Sequence, residues 1–149
     1  MGSLEIRPIN AGDEAHWRRL WTAYLTFYET VLPDEIYAST FARILSGVPN
    51  EYRGLLAVLD GRPVGLAHYL FHRSCWHIED VCYLQDLFAD PEVRGKGIGR
   101  ALIEAVYQQA QAAGSTEVYW MTQEFNATAR KLYDRIAAKT PFLVYQQNF

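Results

Sequence analysis

Cysteine is nearly absent from the chain. Cys75 and Cys82 are its only two, too few for a disulfide framework or a zinc ribbon, so both are expected as reduced thiols. No run approaches the roughly 20 apolar residues that a membrane helix needs. The first six residues lack the basic and apolar stretches of a secretory signal. Ile6 also stands where a myristoylation signal wants Ser or Thr. A cytoplasmic protein is the expectation. The net charge is only −3, which recommends neither nucleic acid nor anionic lipid as a partner. Linkers, repeats and low-complexity segments are missing too.

What is present is enough for one domain: 149 residues, half of them hydrophobic. Residues 4–9 alternate apolar and polar and predict a strand. Asp13 is placed to cap a helix bearing Trp17, Leu20, Trp21, Tyr24 and Leu25 at helical spacing. Pro33 interrupts, and a second helix is expected over 34–45, ending near Gly47. Two apolar runs, 55–59 and 64–71, flank Asp60-Gly61 and predict a hairpin. A long strand is expected over 78–89. The period then changes to helical at Ala101, Leu102, Ala105, Val106 and Ala110, closed by Gly114. A strand over 118–121, a helix opened by Asn126 and running to Ala137, and a last strand over 142–145 complete the chain. The order β-α-α-β-β-β-α-β-α-β predicts a single α/β domain spanning 1–149.

Chemistry concentrates in residues 87–101, where a strand runs through a glycine-rich turn into a helix. Gly95, Gly97 and Gly99 allow close approach to the main chain. The free amides and dipole of the helix start favour an anion, and Arg94, Lys96 and Arg100 add positive charge. This is the composition of a phosphate site. A Walker A loop is excluded because Gly-x4-Gly-Lys-Ser/Thr does not occur. A dinucleotide fingerprint fails because Arg100 stands where its third glycine belongs.

The spacing Arg94-x-x-Gly97-x-Gly99, followed downstream by Asn126-x-x-Ala129-x-x-x-Tyr133, resembles the GNAT superfamily of acetyl-CoA-dependent N-acetyltransferases. The resemblance extends over nearly the whole chain, since the element order is also that family's. It implies a mixed central sheet of six to seven strands flanked by about four helices. Residues 83–88, 118–122 and 140–145 look most like two branches: the Hpa-type histone and D-amino-acid acetyltransferases, and the spermidine/spermine and thialysine acetyltransferases.

Carried onto this chain, the resemblance implies a role for each matching residue. Leu87, Phe88 and Ala89 would bond the pantetheine arm, one of their amides stabilising the oxyanion. Arg94, Gly95, Lys96, Gly97, Ile98, Gly99 and Arg100 would hold the diphosphate, and Asn126 would bond the cofactor from the next helix. Tyr133 would protonate the leaving thiolate. An alkylammonium with a pKa of about 10 must first lose a proton. The polyamine branch carries a glutamate for that duty where this chain has Gln85, whose amide cannot accept it. Asp86 stands first as base, through a bulge or a water. Glu79 or Asp80 through a water chain, or bulk solvent, are the other routes. Regular alternation sets Asp86 on the face opposite Gln85, so its use as base requires a bulge.

Tyr28, Glu29, Asp34 and Glu35, with Gln85, are candidate contacts for a cationic amine. The segment around them reads equally well as a solvated helix connection. Polyamines, thialysine-like or D-amino acids, and lysines of a peptide or protein all remain open as acceptors. Direct transfer is expected, since Cys82 precedes the expected thioester position. His68, His72 and His77 lack the spacing of a metal site; ordinary partly buried histidines, and no metal, are expected. The four tryptophans, Trp17, Trp21, Trp76 and Trp120, are expected in the core or at an interface. By analogy with relatives, a homodimer is expected, with 142–149 contributing to its interface. Two other classes compete: a non-catalytic acyl-CoA-binding module, motivated by Gln85, and a nucleotide binder.

Overall fold

The Asp-Gly pair turns the chain as its composition predicts. Asp60 and Gly61 take positive φ, 51° and 80°, the turn whose twist matches the two strands it joins. These strands are β2 (Arg53–Leu59) and β3 (Arg62–His72). The computed structural model describes residues 2–149. It adds β1 (Leu4–Pro8), β4 (Val81–Ala89) and β5 (Val118–Tyr119) in the spatial order β1-β2-β3-β4-β5. The first four strands are antiparallel neighbours, while β5 lies parallel to β4.

The described sheet therefore has five strands, not six to seven. Residues 142–145 have strand composition but form none. A strand needs a neighbour to take its amides, and here Phe142, Leu143, Val144 and Tyr145 stand 69–92% exposed. The long run also starts later than expected, at Val81, because Ile78 lies in a turn and is 87% exposed.

Four helices flank this mixed sheet. On one face, α1 (Glu14–Phe27) and α2 (Asp34–Leu45) bury Trp17, Leu20, Trp21, Leu25, Phe41 and Ile44 against Leu56, Val58 and Leu66. On the other, α3 (Ile98–Ala112) sets Leu102, Ile103, Val106 and Ala110 on Leu55, Ala57, Ala67 and Leu84. Leu132, Tyr133 and Ile136 of α4 (Ala127–Ile136) pack against the same cluster. Each buried Leu, Ile or Phe contributes about 1.5–3 kcal/mol.

Two local expectations are corrected. Asp13 precedes α1 but makes no side-chain cap to it. Its carboxylate instead accepts two bonds from Arg7, at 2.8 and 2.9 Å, and one from the Asn10 amide at 2.8 Å. Trp76 lies outside the core, 83% exposed.

Strand β4 is irregular in two places. Leu84 pairs with Tyr69 and Asp86 with His68, so Gln85 is an extra residue, a bulge. Before it, Cys82 and Leu84 face α3; after it, Leu87 and Ala89 do, while Phe88 joins the α1 cluster. On its other edge, β4 pairs with β5 only at Cys82–Val118 and Tyr83–Tyr119. Beyond that point residues 84–89 have no strand on the β5 side.

Candidate active site

The turn after β4 builds a cleft of about 300 Å³. Gly95 and Gly97 take φ of 78° and 72°, and a Cβ on either would meet nothing within 4 Å. Gly97 is the N-cap of α3 and provides no side-chain bond to the helix start. The first amides of this 15-residue helix are therefore open to an anion. Arg94, Arg100 and Arg135 line the cleft with Ala89, Val93, Ile98, Gly99 and Leu132, and no carboxylate does. Lys96 belongs to the turn but not to the lining. Arg100 also holds Glu104 at 2.8 Å. Asn126 caps α4, accepting from the Ala129 amide at 3.4 Å, and its own amide reaches Thr122 at 3.5 Å.

Where β4 and β5 part, a narrow crevice opens between Tyr24, Tyr28, Leu84, Gln85, Leu87, Trp120, Met121 and Tyr133. Tyr133 meets Trp120 edge to face at 5.4 Å. Burial, with the Tyr28 phenol nearby, pushes its pKa up to about 12. It is thus a proton donor across the physiological range.

Asp86 lies behind this crevice, 8% exposed. Its Oδ2 is 2.8 Å from His68 Nδ1, and the Trp17 indole N–H reaches His68 Nε2 at 2.8 Å. An indole only donates, so Nε2 must accept and Nδ1 carries the hydrogen given to Asp86. Four phenols face the same carboxylate. Burial first, and then its negative charge, raise the pKa of Tyr24, Tyr28 and Tyr52. Tyr83 is raised by burial, by Tyr119 and Tyr52, and last by Asp86. The bulge that Asp86 requires is therefore in the structure, and Gln85 is its extra residue. Tyr52 donates its hydroxyl proton to the Gln85 amide oxygen.

The acidic candidates from the α1–α2 connection do not gather here. Asp34 is held by Arg18 at 2.7 Å, and Glu29 and Glu35 are exposed away from the crevice lining. Tyr28 alone of that group borders it. Sequence reasoning misses Tyr24, Tyr52, Trp120 and Met121, and it treats His68 as an ordinary histidine. The unusual tyrosine content, ten residues, is the one available signal.

The chain is similar to known proteins. Residues 15–137 match the Acetyltransferase (GNAT) family. The D-amino-acid N-acetyltransferase HPA3 of Saccharomyces cerevisiae is 39% identical over 146 residues, covering 97% of this chain and 91% of its own. The thialysine N-epsilon-acetyltransferase of Bos taurus is 32% identical over 149 residues, covering 93% and 86%. Among solved structures, the aminoglycoside acetyltransferase AAC(6')-Iy in complex with a CoA bisubstrate analogue superposes with a TM-score of 0.85. It shares 21% identity over 99% of both chains, which supports the fold. With the family covering most of its length and two N-acetyltransferases this close, the chain belongs to the GNAT family and is an acetyltransferase.

Proposed function

We propose that this enzyme transfers the acetyl group of acetyl-CoA directly to a small primary amine, polyamine-like or amino-acid-like. A lysine side chain is the second choice. One observation carries the reading: Tyr133 and Gln85 border a single crevice, backed by Asp86, at the point where β4 loses its neighbour. The names of the yeast and bovine relatives, which acetylate a D-amino acid and thialysine, point to the same class of acceptor.

The residues present fit the cofactor. Uncapped amides of α3, with Arg94, Arg100 and Arg135, suit its diphosphate, and the free edge at 87–89 suits an amide-bearing arm. Lys96 from the glycine turn and Asn126 from the entrance of α4 would assist. Acetyl-CoA supplies the acetyl group as a reactive thioester.

Asp86 then takes the proton of the acceptor's ammonium, directly or through a water, leaving a nucleophilic amine. As the C–N bond forms and the C–S bond breaks, a main-chain amide among Leu87, Phe88 and Ala89 donates to the carbonyl oxygen. Tyr133 gives its phenolic proton to the departing sulfur, and the second proton that the nitrogen sheds on becoming an amide returns through water to the phenolate. Thiol release from acetyl-CoA, measured across polyamines, thialysine, D-amino acids and lysine peptides, tests this. Absence of turnover on every amine, despite cofactor binding, would overturn it.

We also infer a homodimer. The exposed apolar side chains of Phe142, Leu143, Val144 and Phe149 support it, and sedimentation of the purified chain checks it. The unpaired thiols Cys75 and Cys82 suit the cytoplasm.

A further inference from the structure

Asp86 is 8% exposed. Its one hydrogen-bonding side chain within 3 Å is His68, which is 2% exposed and bonded through both ring nitrogens. The second bond is the informative one. Trp17 Nε1 can only donate, so its 2.8 Å approach to His68 Nε2 occupies the lone pair that would otherwise take a proton. Trp17 itself is 0% exposed and is fixed by stacking on Trp21 at 5.1 Å and by Phe41 at 5.1 Å. Accepting the indole hydrogen at Nε2 places the ring's own hydrogen on Nδ1.

That matters for a base. Were His68 free to charge, an imidazolium 2.8 Å from the carboxylate would hold Asp86 ionised and make it a poor proton acceptor. Four phenols feel the charge of Asp86: Tyr24 and Tyr28 from α1 and its end, Tyr52 ahead of β2, and Tyr83 on β4.

We propose that Trp17 and His68 are positioning residues. The indole locks His68 as the neutral Nδ1–H tautomer, and His68 in turn orients Asp86 without setting a positive charge beside it. This rests on the reading of Asp86 as the proton acceptor, and the two are separable by experiment. Nitrogen-15 NMR of the histidine rings reads the lock without any substrate. In the parent chain, His68 remains the neutral Nδ1–H form from about pH 5.5 to about pH 8.5. In Trp17→Phe it becomes titratable. In Trp21→Phe, which removes a stacked indole whose N–H has no partner, it does not. A His68 that titrates in the parent, or stays locked in Trp17→Phe, overturns the proposal.

Acetyl transfer to thialysine and to a D-amino acid reads the consequence. With Trp17→Phe, kcat/KM falls about tenfold more than the parent's between pH 8 and pH 6, while KM for acetyl-CoA is unchanged. An unchanged pH profile beside a newly titrating His68 would overturn the catalytic half. If Trp17→Phe does not fold, His68→Asn carries the test, since it keeps an N–H toward Asp86 and cannot titrate. It must hold kcat within about threefold of the parent where His68→Leu loses about tenfold. Asp86→Asn addresses the underlying reading alone. Parental kcat in that variant sinks Asp86 as base, and the relay with it, while leaving the tautomer found by NMR intact.

Discussion

Leu84 and Asp86 stand two residues apart on β4 and serve opposite faces of the sheet. In an unbroken strand they would share one. The bulge at Gln85 separates them, so that Leu84 packs beneath α3 while Asp86 meets His68 beneath Trp17. A carboxylate is thereby delivered into an aromatic layer without disturbing the apolar layer on the other side.

Tyr133 is the first residue to alter. Tyr133→Phe removes the proposed acid and keeps the ring, so kcat should fall about 100-fold with little change in KM for acetyl-CoA. The pH profile gives a second check. A phenol with its pKa raised to about 12 donates at any lower pH. The parent's alkaline limb should therefore not fall at about pH 10, where an ordinary tyrosine would begin to ionise. Steady-state kinetics from neutral pH to just above that point measure both.

Cys82 should prove inert. Burial pushes its thiol up to about 12 and leaves it 0% exposed, whereas Cys75 is exposed. The thiolate is the reactive species. Iodoacetamide at about pH 8 should therefore label Cys75 and spare Cys82 in the folded chain, as read by peptide mass spectrometry. An acetyl group found on Cys82 during turnover would contradict direct transfer.

How much of this was legible depends on whether the cause was local. The Asp60-Gly61 turn, the Gly97 helix entrance and the apolar spacing of α1 and α3 are set by near neighbours, and each falls where expected. The His68–Asp86 bond is not local. It spans two strands, and its register depends on the bulge, which alternation cannot reveal. Asp34 reads as an acidic candidate for holding a cationic amine, yet Arg18 from α1 takes it, and it stays out of the crevice lining. Residues 142–145 have the side chains of a strand, but pairing requires a neighbour, and composition does not provide one. The phenols around Asp86 converge from α1, the segment before β2, and β4, and no spacing along the chain announces that.

Gly97→Ala should damage the cofactor site while sparing the core. At φ of 72° the cost is conformational, about 1–2 kcal/mol, because the added methyl meets nothing. If that strain shifts the turn, the dissociation constant for CoA rises about 5- to 30-fold. Calorimetric titration with CoA measures it, and an unchanged affinity would place the diphosphate elsewhere.

Acid stability should depend on Arg7 and Asp13. The Arg7 guanidinium holds the Asp13 carboxyl below its ordinary value of 3.8. A depressed carboxyl stabilises the fold above that value, and the contribution is lost as pH falls through the folded-state pKa. Asp13→Asn should therefore lower stability by about 2 kcal/mol at neutral pH and flatten the dependence below about pH 4. Urea unfolding at neutral pH and at about pH 3 tests the pair, and equal losses at both would be the contrary result.

The early parting of β5 from β4 has a cost beyond catalysis. An edge with bare amides is a template onto which any extended peptide can zip. A thioester arm lying in that slot, as proposed above, would act as a stopper and shield the edge from foreign strands. The ligand-free protein should accordingly be the form more prone to self-association in storage. Adding CoA during purification should do more for solubility than any change of salt.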